Sequence, residues 1–121
     1  MTKPVLHAVS PILQVANLQR ALDFYTRVLG FETAWTWGTP PDRASVCRDS
    51  VEIMLEVVPQ PRPSHVYIQV KEIDAYFATV TAAGATVVYP LADRVYGMRD
   101  GRIADPDGNH VGLGEALPAA D

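Results

Sequence analysis

The chain has a single cysteine, Cys47, so it carries neither a disulfide framework nor a thiolate cluster for zinc, and a reducing cytoplasm is the expected setting. No apolar run approaches ~18 residues, so no membrane-spanning segment is expected. Met1 to Val5 carries one Lys and leads into no apolar stretch, which argues against a secretory leader. Positive charge is scarce. Ten Lys and Arg face 14 Asp and Glu, a net charge of −4, and no basic stripe is available to follow a phosphate backbone. Nucleic acid is therefore not an expected partner, and no glycine-rich phosphate loop is present. What remains is an ordinary globular composition, 48% hydrophobic and 20% charged. A length of 121 residues suits one domain with one substantial core.

Hydrophobic periodicity divides the chain into two similar halves. Pro11 to Val15 reads as a strand, followed by apolar residues at helical spacing: Leu18, Ala21, Leu22, Tyr25, Val28 and Leu29. Asn17 is placed to cap that helix and Gly30 to end it. Phe31 to Trp37, Ala44 to Arg48 and Val51 to Val57 read as three further strands. Pro59, Pro61 and Pro63 then make a stiff linker. After it the pattern restarts: strand His65 to Val70, helix stripe Ile73, Phe77, Val80 and Ala83, stop at Gly84, then strands Thr86 to Tyr89, Tyr96 to Ala104 and Asn109 to Leu113. Leu13-Gln14-Val15 and Ile68-Gln69-Val70 match at an offset of about 55 residues, as do Leu18 with Ile73 and Leu22 with Phe77. Asp105-Pro106-Asp107-Gly108 has the residue preferences of a type I turn.

Two stretches carry a family resemblance. One runs from Val15 to Tyr25 (VANLQRALDFY) and continues into Val28-Leu29-Gly30-Phe31; the other joins Tyr96 to Asp100 (YGMRD) with Asp105 to Asn109 (DPDGN). Together they resemble the vicinal oxygen chelate superfamily, which includes glyoxalases I, extradiol dioxygenases and bleomycin-resistance proteins. The resemblance implies an α+β fold in which two tandem βαβββ modules form a curled, half-open barrel around a cavity. The modules would span residues 6–58 and 64–116 of a single domain, 1–121, with the proline-rich linker at 59–63. It also implies a homodimer whose cavities are each built from module one of one chain and module two of the other.

Metal enzymes of this family take His, Glu and sometimes Gln from four positions, which fall here on Ser10, Met54, His65 and Gly112. Of these only His65 is a metal ligand by chemistry. A rearranged set of His65, His110 and Glu56 is the alternative, and with it a metal-dependent enzyme of glyoxalase or dioxygenase type. No catalytic residue and no cofactor is assigned. Cys47 has no evident base, and Ser10 with His65 has no acid partner or oxyanion hole.

Strand alternation points Phe31, Thr33, Trp35 and Trp37 to one side. It turns Glu52, Met54 and Glu56 inward in module one, and His65, Tyr67, His110 and Gly112 in module two. Tyr96 and Met98 add aromatic and polarizable surface. The expected ligand site is therefore Trp35, Trp37, Glu52, Met54, His65, Tyr67, Tyr96, Met98, His110 and Gly112. The two Trp also suit a core or a seam between copies. As a pocket, this set would stack a planar aromatic natural product, and Glu52 and Glu56 at its rim favour a cation. The expected function is metal-free sequestration of such a molecule, as in bleomycin-resistance proteins, with a small-molecule sensor or accessory protein as a further reading. Asp100-Gly101 is a hairpin turn by local rules but lies inside a strand by resemblance; Gly101 is then expected to mark a bulge or close ligand approach.

Overall fold

A computed structural model describes residues 2–119; Met1, Ala120 and Asp121, the ends of the expected 1–121 domain, lie outside the described residues. Module one comprises β1 (Ile12–Val15), α1 (Leu18–Asp23), β2 (Glu32–Trp37), β3 (Arg43–Arg48) and β4 (Val51–Val57). Module two repeats the order with β5 (His65–Gln69), α2 (Ile73–Ala82), β6 (Thr86–Asp93), β7 (Met98–Ala104) and β8 (His110–Ala116). Each module forms its own four-stranded mixed sheet, β1-β4-β3-β2 and β5-β8-β7-β6, and neither closes into a barrel. The chain thus has the α+β fold of two tandem βαβββ modules. No helix among the described residues is long and apolar enough to cross a membrane.

One face of each sheet packs under a helix. Leu13, Val15, Val46, Ile53 and Leu55 in module one, and Ile103, Val111 and Leu113 in module two, are buried against Leu18, Ala21 and Tyr25 or against Ile73, Phe77 and Val80. The side chain of Asn17 accepts the backbone N–H of Arg20 at 2.8 Å, as a helix cap should. Beyond Asp23 the helix continues as a π-helical turn, Phe24–Val28, and Gly30 leaves it at φ +74°. α2 is capped from a distance: the Glu115 carboxylate of β8 accepts from Glu72 N and Ile73 N, both at 3.2 Å. A negative charge there also suits the helix dipole.

Several strand boundaries differ from expectation. β6 runs through Pro90 to Asp93, which is tolerated because β6 is an edge strand. β8 extends to Ala116, and Tyr96 sits in the turn ahead of β7 rather than in the strand. A register shift between Thr33 and Trp35 sets Thr33 opposite core-facing Val46 and Trp35 opposite Ser45, so Thr33 and the Trp pair do not share a face. Phe31 is buried in the core. Gly101 lies inside β7, opposite Leu113. A Cβ there would meet the Phe77 ring at 2.5 Å, so the glycine makes room for a helix side chain.

The Asp105–Asn109 turn fastens the modules together. Buried Asp105 accepts from Tyr25 Oη (2.9 Å), Asn109 Nδ2 (2.9 Å) and the backbone N–H groups of Asp107 and Asn109 (2.9 Å each). Asp107 accepts from Ala16 N (3.0 Å) and Arg20 Nη2 (2.8 Å), while Asn109 Nδ2 donates to Gln14 O (3.0 Å). Desolvation, the Asp105 charge and the hydrogen bond to Asp105 push the Tyr25 phenol far above its ordinary value, so it stays a donor. Tyr25→Phe keeps the ring packing and leaves Asp105 one donor short. A loss of about 1–3 kcal/mol is expected, read as a lower urea midpoint at unchanged slope.

Candidate functional site

The faces turned away from the helices carry the candidate residues. In sheet one, cross-strand register sets Glu52 beside Cys47, Met54 beside Ser45 and Ile12, and Trp35 and Trp37 beside Ser45 and Arg43. Ile53 and Leu55, between them, enter the core. The Trp rings are not core in the single chain: Trp35 is 40% and Trp37 67% exposed. Glu52 is fixed from two sides, by the Ser10 hydroxyl and by Ser45 Oγ at 2.6 Å. The hydrogen bonds from Ser10 and Ser45 outweigh desolvation and hold its carboxyl below the usual range, so it is an anion at neutral pH.

Sheet two displays a different set. Tyr67 lies across a ladder of glycines: a Cβ on Gly112 would sit 2.9 Å from Tyr67 Cδ2 and 3.3 Å from His65 Nε2, and one on Gly114 would strike the Tyr67 hydroxyl. That hydroxyl donates to Asp100 Oδ2 at 2.9 Å, Tyr96 Oη donates to the same oxygen at 2.6 Å, and Arg94 Nε reaches Oδ1 at 2.9 Å. Burial raises the Asp100 pKa, but the hydrogen bonds from Tyr96, Arg94 and Tyr67 with the Arg94 charge outweigh it and hold the group below the ordinary carboxylate range. Burial and Asp100 push Tyr67 up to about 12. These groups, with Tyr89 and Arg102, line a cavity of about 300 Å³. His65 and His110 stand opposite each other beside it, ring centroids 6.5 Å apart. Burial first, then Arg102 and His110, lower the His65 pKa.

The structure thus gathers Tyr67, Tyr96, Gly112, His65 and His110 on one sheet, and Trp35, Trp37, Glu52 and Met54 on the other. Met98 lies at the start of β7, away from the lining of the cavity. Arg94, Tyr89, Asp100 and Arg102 were not among the expected site residues. Asp100 and Arg102 share a strand parity with Met98, a signal in the sequence that could have found them. A larger hollow of about 610 Å³ lies between the β3–β4 turn and α2, but none of the expected site residues line it.

A divalent metal does not fit. The four family positions offer a Ser already bound to Glu52, a thioether, one imidazole and a glycine whose space Tyr67 takes. The rearranged set fails as well: Glu56 lies on sheet one, 3.8 Å from Arg43, and no three His, Cys, Asp or Glu side chains converge among the described residues. No step through a metal follows from this donor set.

Residues 5–113 match the model of the Glyoxalase/Bleomycin resistance protein/Dioxygenase superfamily, and the chain belongs to it. The Mb0911c protein of Mycobacterium bovis is 33% identical over 91% of this chain and 84% of its own length. Among solved structures, TioX from Micromonospora sp. ML1 superposes with a TM-score of 0.83 at 24% identity, over 92% of this chain and 99% of that one. A superfamily member from Sphaerobacter thermophilus gives 0.78 at 25% identity, over 92% and 98%.

The Asp100 network makes an acid prediction. Its folded pKa lies below the unfolded value of about 3.9, so the stabilisation is complete above that value and is lost as pH falls through the folded pKa. The difference in urea midpoint between the parent chain and Asp100→Asn should be constant near pH 6 and shrink below about pH 4.

Proposed function

We propose that the chain is a metal-free binding protein, similar in mode to the bleomycin-resistance branch of its superfamily, that sequesters a planar aromatic cation. The observation that carries this reading is the open face of sheet one, where Trp35 and Trp37 stand exposed on the same side as an ionised, doubly hydrogen-bonded Glu52. Indole faces stack flat rings, each pair adding about 1 kcal/mol beyond area burial, and they attract a cation electrostatically. Sequestration asks for affinity and exclusion of water, and no reacting group.

The cavity is completed by a second copy. Ile12, Trp35 and Trp37 on one sheet, and Tyr67, Tyr89 and Tyr96 on the other, leave large apolar surface in water in a single chain. Facing module one of one copy with module two of the other covers both and encloses the ligand between them. The protein acts in this reading as a cytoplasmic homodimer.

Titration of the protein with 9-aminoacridine, a flat cation, tests the reading by isothermal titration calorimetry. Saturable binding is expected, weakened about 10-fold by Glu52→Gln and lost in the Trp35→Ala, Trp37→Ala double variant. Absence of binding at high micromolar dye, or an affinity indifferent to both changes, overturns it. Metal analysis of the purified protein is an independent check: about one Zn, Ni, Mn or Fe per chain contradicts the metal-free assignment. Light scattering should return twice the chain mass.

A further inference from the structure

Arg102 is a charge without a counter-charge. Its side chain lies on the open face of sheet two, between Gly112 and Tyr89 in the register of β8, β7 and β6. Arg20, Arg43, Arg48, Arg94 and Arg99 each reach a carboxylate; Arg27, Arg62 and Arg102 reach none among the described residues, and of these three only Arg102 lines a cavity. The one carboxylate in its cavity, Asp100, already takes Arg94, Tyr67 and Tyr96. Arg102 instead lies over the Tyr89 ring, 5.2 Å from its centroid, with Nη1 3.4 Å from His110 Nδ1. A guanidinium only donates, so in this contact Nδ1 of His110 is the acceptor, an arrangement that leaves Nε2 to serve as a donor. His65 stands across the strand pair from His110, its ring edge-on at 6.5 Å.

We propose that Arg102, His110 and His65 form a carboxylate-recognition site on the open face of module two, taking an aryl monocarboxylate whose ring packs beside Tyr89 and Tyr67. A planar fork of N–H donors matches a carboxylate in two-point contact. The fixed charge left in the cavity after Arg94 and Asp100 cancel is a single positive one, which suits a monoanion. Exposed phenol rings flanking the guanidinium supply the surface for the aryl group. This site needs neither the aromatic-cation reading of sheet one nor a second copy of the chain.

The test uses the full chain, ¹⁵N-labelled, with benzoate and its neutral isostere benzamide as probes. Benzoate should shift the Arg102 Nε–H and His110 imidazole signals saturably, benzamide at the same concentrations should not, and sodium chloride at matched ionic strength should not. Arg102→Gln should weaken benzoate about 10-fold or more. The 9-aminoacridine response of sheet one should survive in that variant, so that failure at one site is told apart from failure at the other. Equal shifts from benzamide or chloride overturn the proposal, as does an unchanged benzoate affinity in Arg102→Gln. If a carboxylate of a second copy already occupies Arg102, benzoate produces no shift and the proposal falls. Should Arg102→Gln not fold, the benzoate and benzamide contrast in the parent chain still decides.

Discussion

The buried Asp105 carboxylate is the constraint on which the arrangement of the two halves rests. Four donors converge on it, and one of them, Tyr25 Oη, comes from the other module. A buried charge is tolerated only when it is fully paired, so each donor is held in place by the cost of losing it. Asn109 extends the same turn to Gln14 O and Ser64 N, and Asp107 extends it to Ala16 N and Arg20. The β7–β8 turn of module two is thereby pinned to the end of β1. A second tie, from Tyr76 Oη to Leu29 O at 2.6 Å, fixes α2 against the end of the first helix. With both helices tied together, the orientation of the two open faces is set by contacts away from those faces.

The two sheets share a backbone plan and have diverged in charge. The parallel pairs place Ile12 opposite Met54 in one module and Tyr67 opposite Gly112 in the other. Glu52 and His110 each lie two residues before that rung, so equivalent positions hold a carboxylate in one module and an imidazole in the other. Glu56 of sheet one is paired with Arg43 and Arg94 of sheet two with Asp100, which leaves Glu52 on one open face and Arg102 on the other as the unlike charges. In the dimer proposed above, opposite sign on the two faces would favour their apposition and give a ligand held between them unlike ends to meet.

Periodicity made the fold legible because burial is one-sided: Leu13 and Val15, Ile53 and Leu55, Val111 and Leu113 alternate with open-face residues, and a period of two is read directly. The Asn17 cap and the glycine stops were legible for a local reason, since capping and positive φ are decided within a few residues. The site was only half legible. Trp35 and Trp37 announced themselves by type, but the bulge that removes Thr33 from their face leaves no mark in composition. Tyr96 looked like a strand residue and instead reaches back from a turn to Asp100, four residues on. Arg94, Tyr89 and Arg102 come together through the pairing of β6 with β7, whose two register shifts no alternation rule foresees. Glu115 as a cap for α2 is a contact across 42 residues, invisible to any local rule.

The misfit of these positions to a metal is not a matter of one missing side chain. A carboxylate at position 112 would need the space that Tyr67 fills, and Tyr67 is held there by Asp100. Asp100 is in turn held by Arg94 and Tyr96, so Gly112, Gly114, Tyr67 and Asp100 stand or change together. On the other sheet, the Ser10 hydroxyl is engaged by Glu52, which Ser45 also holds. Two of the four positions where a relative would present a ligand, Ser10 and Gly112, are thus taken up in a hydrogen-bonded or close-packed network. Packing networks with two or three mutually dependent members resist single substitutions, because each change strands a buried polar group. Two exposed aromatic faces of opposite charge are the outcome those networks maintain.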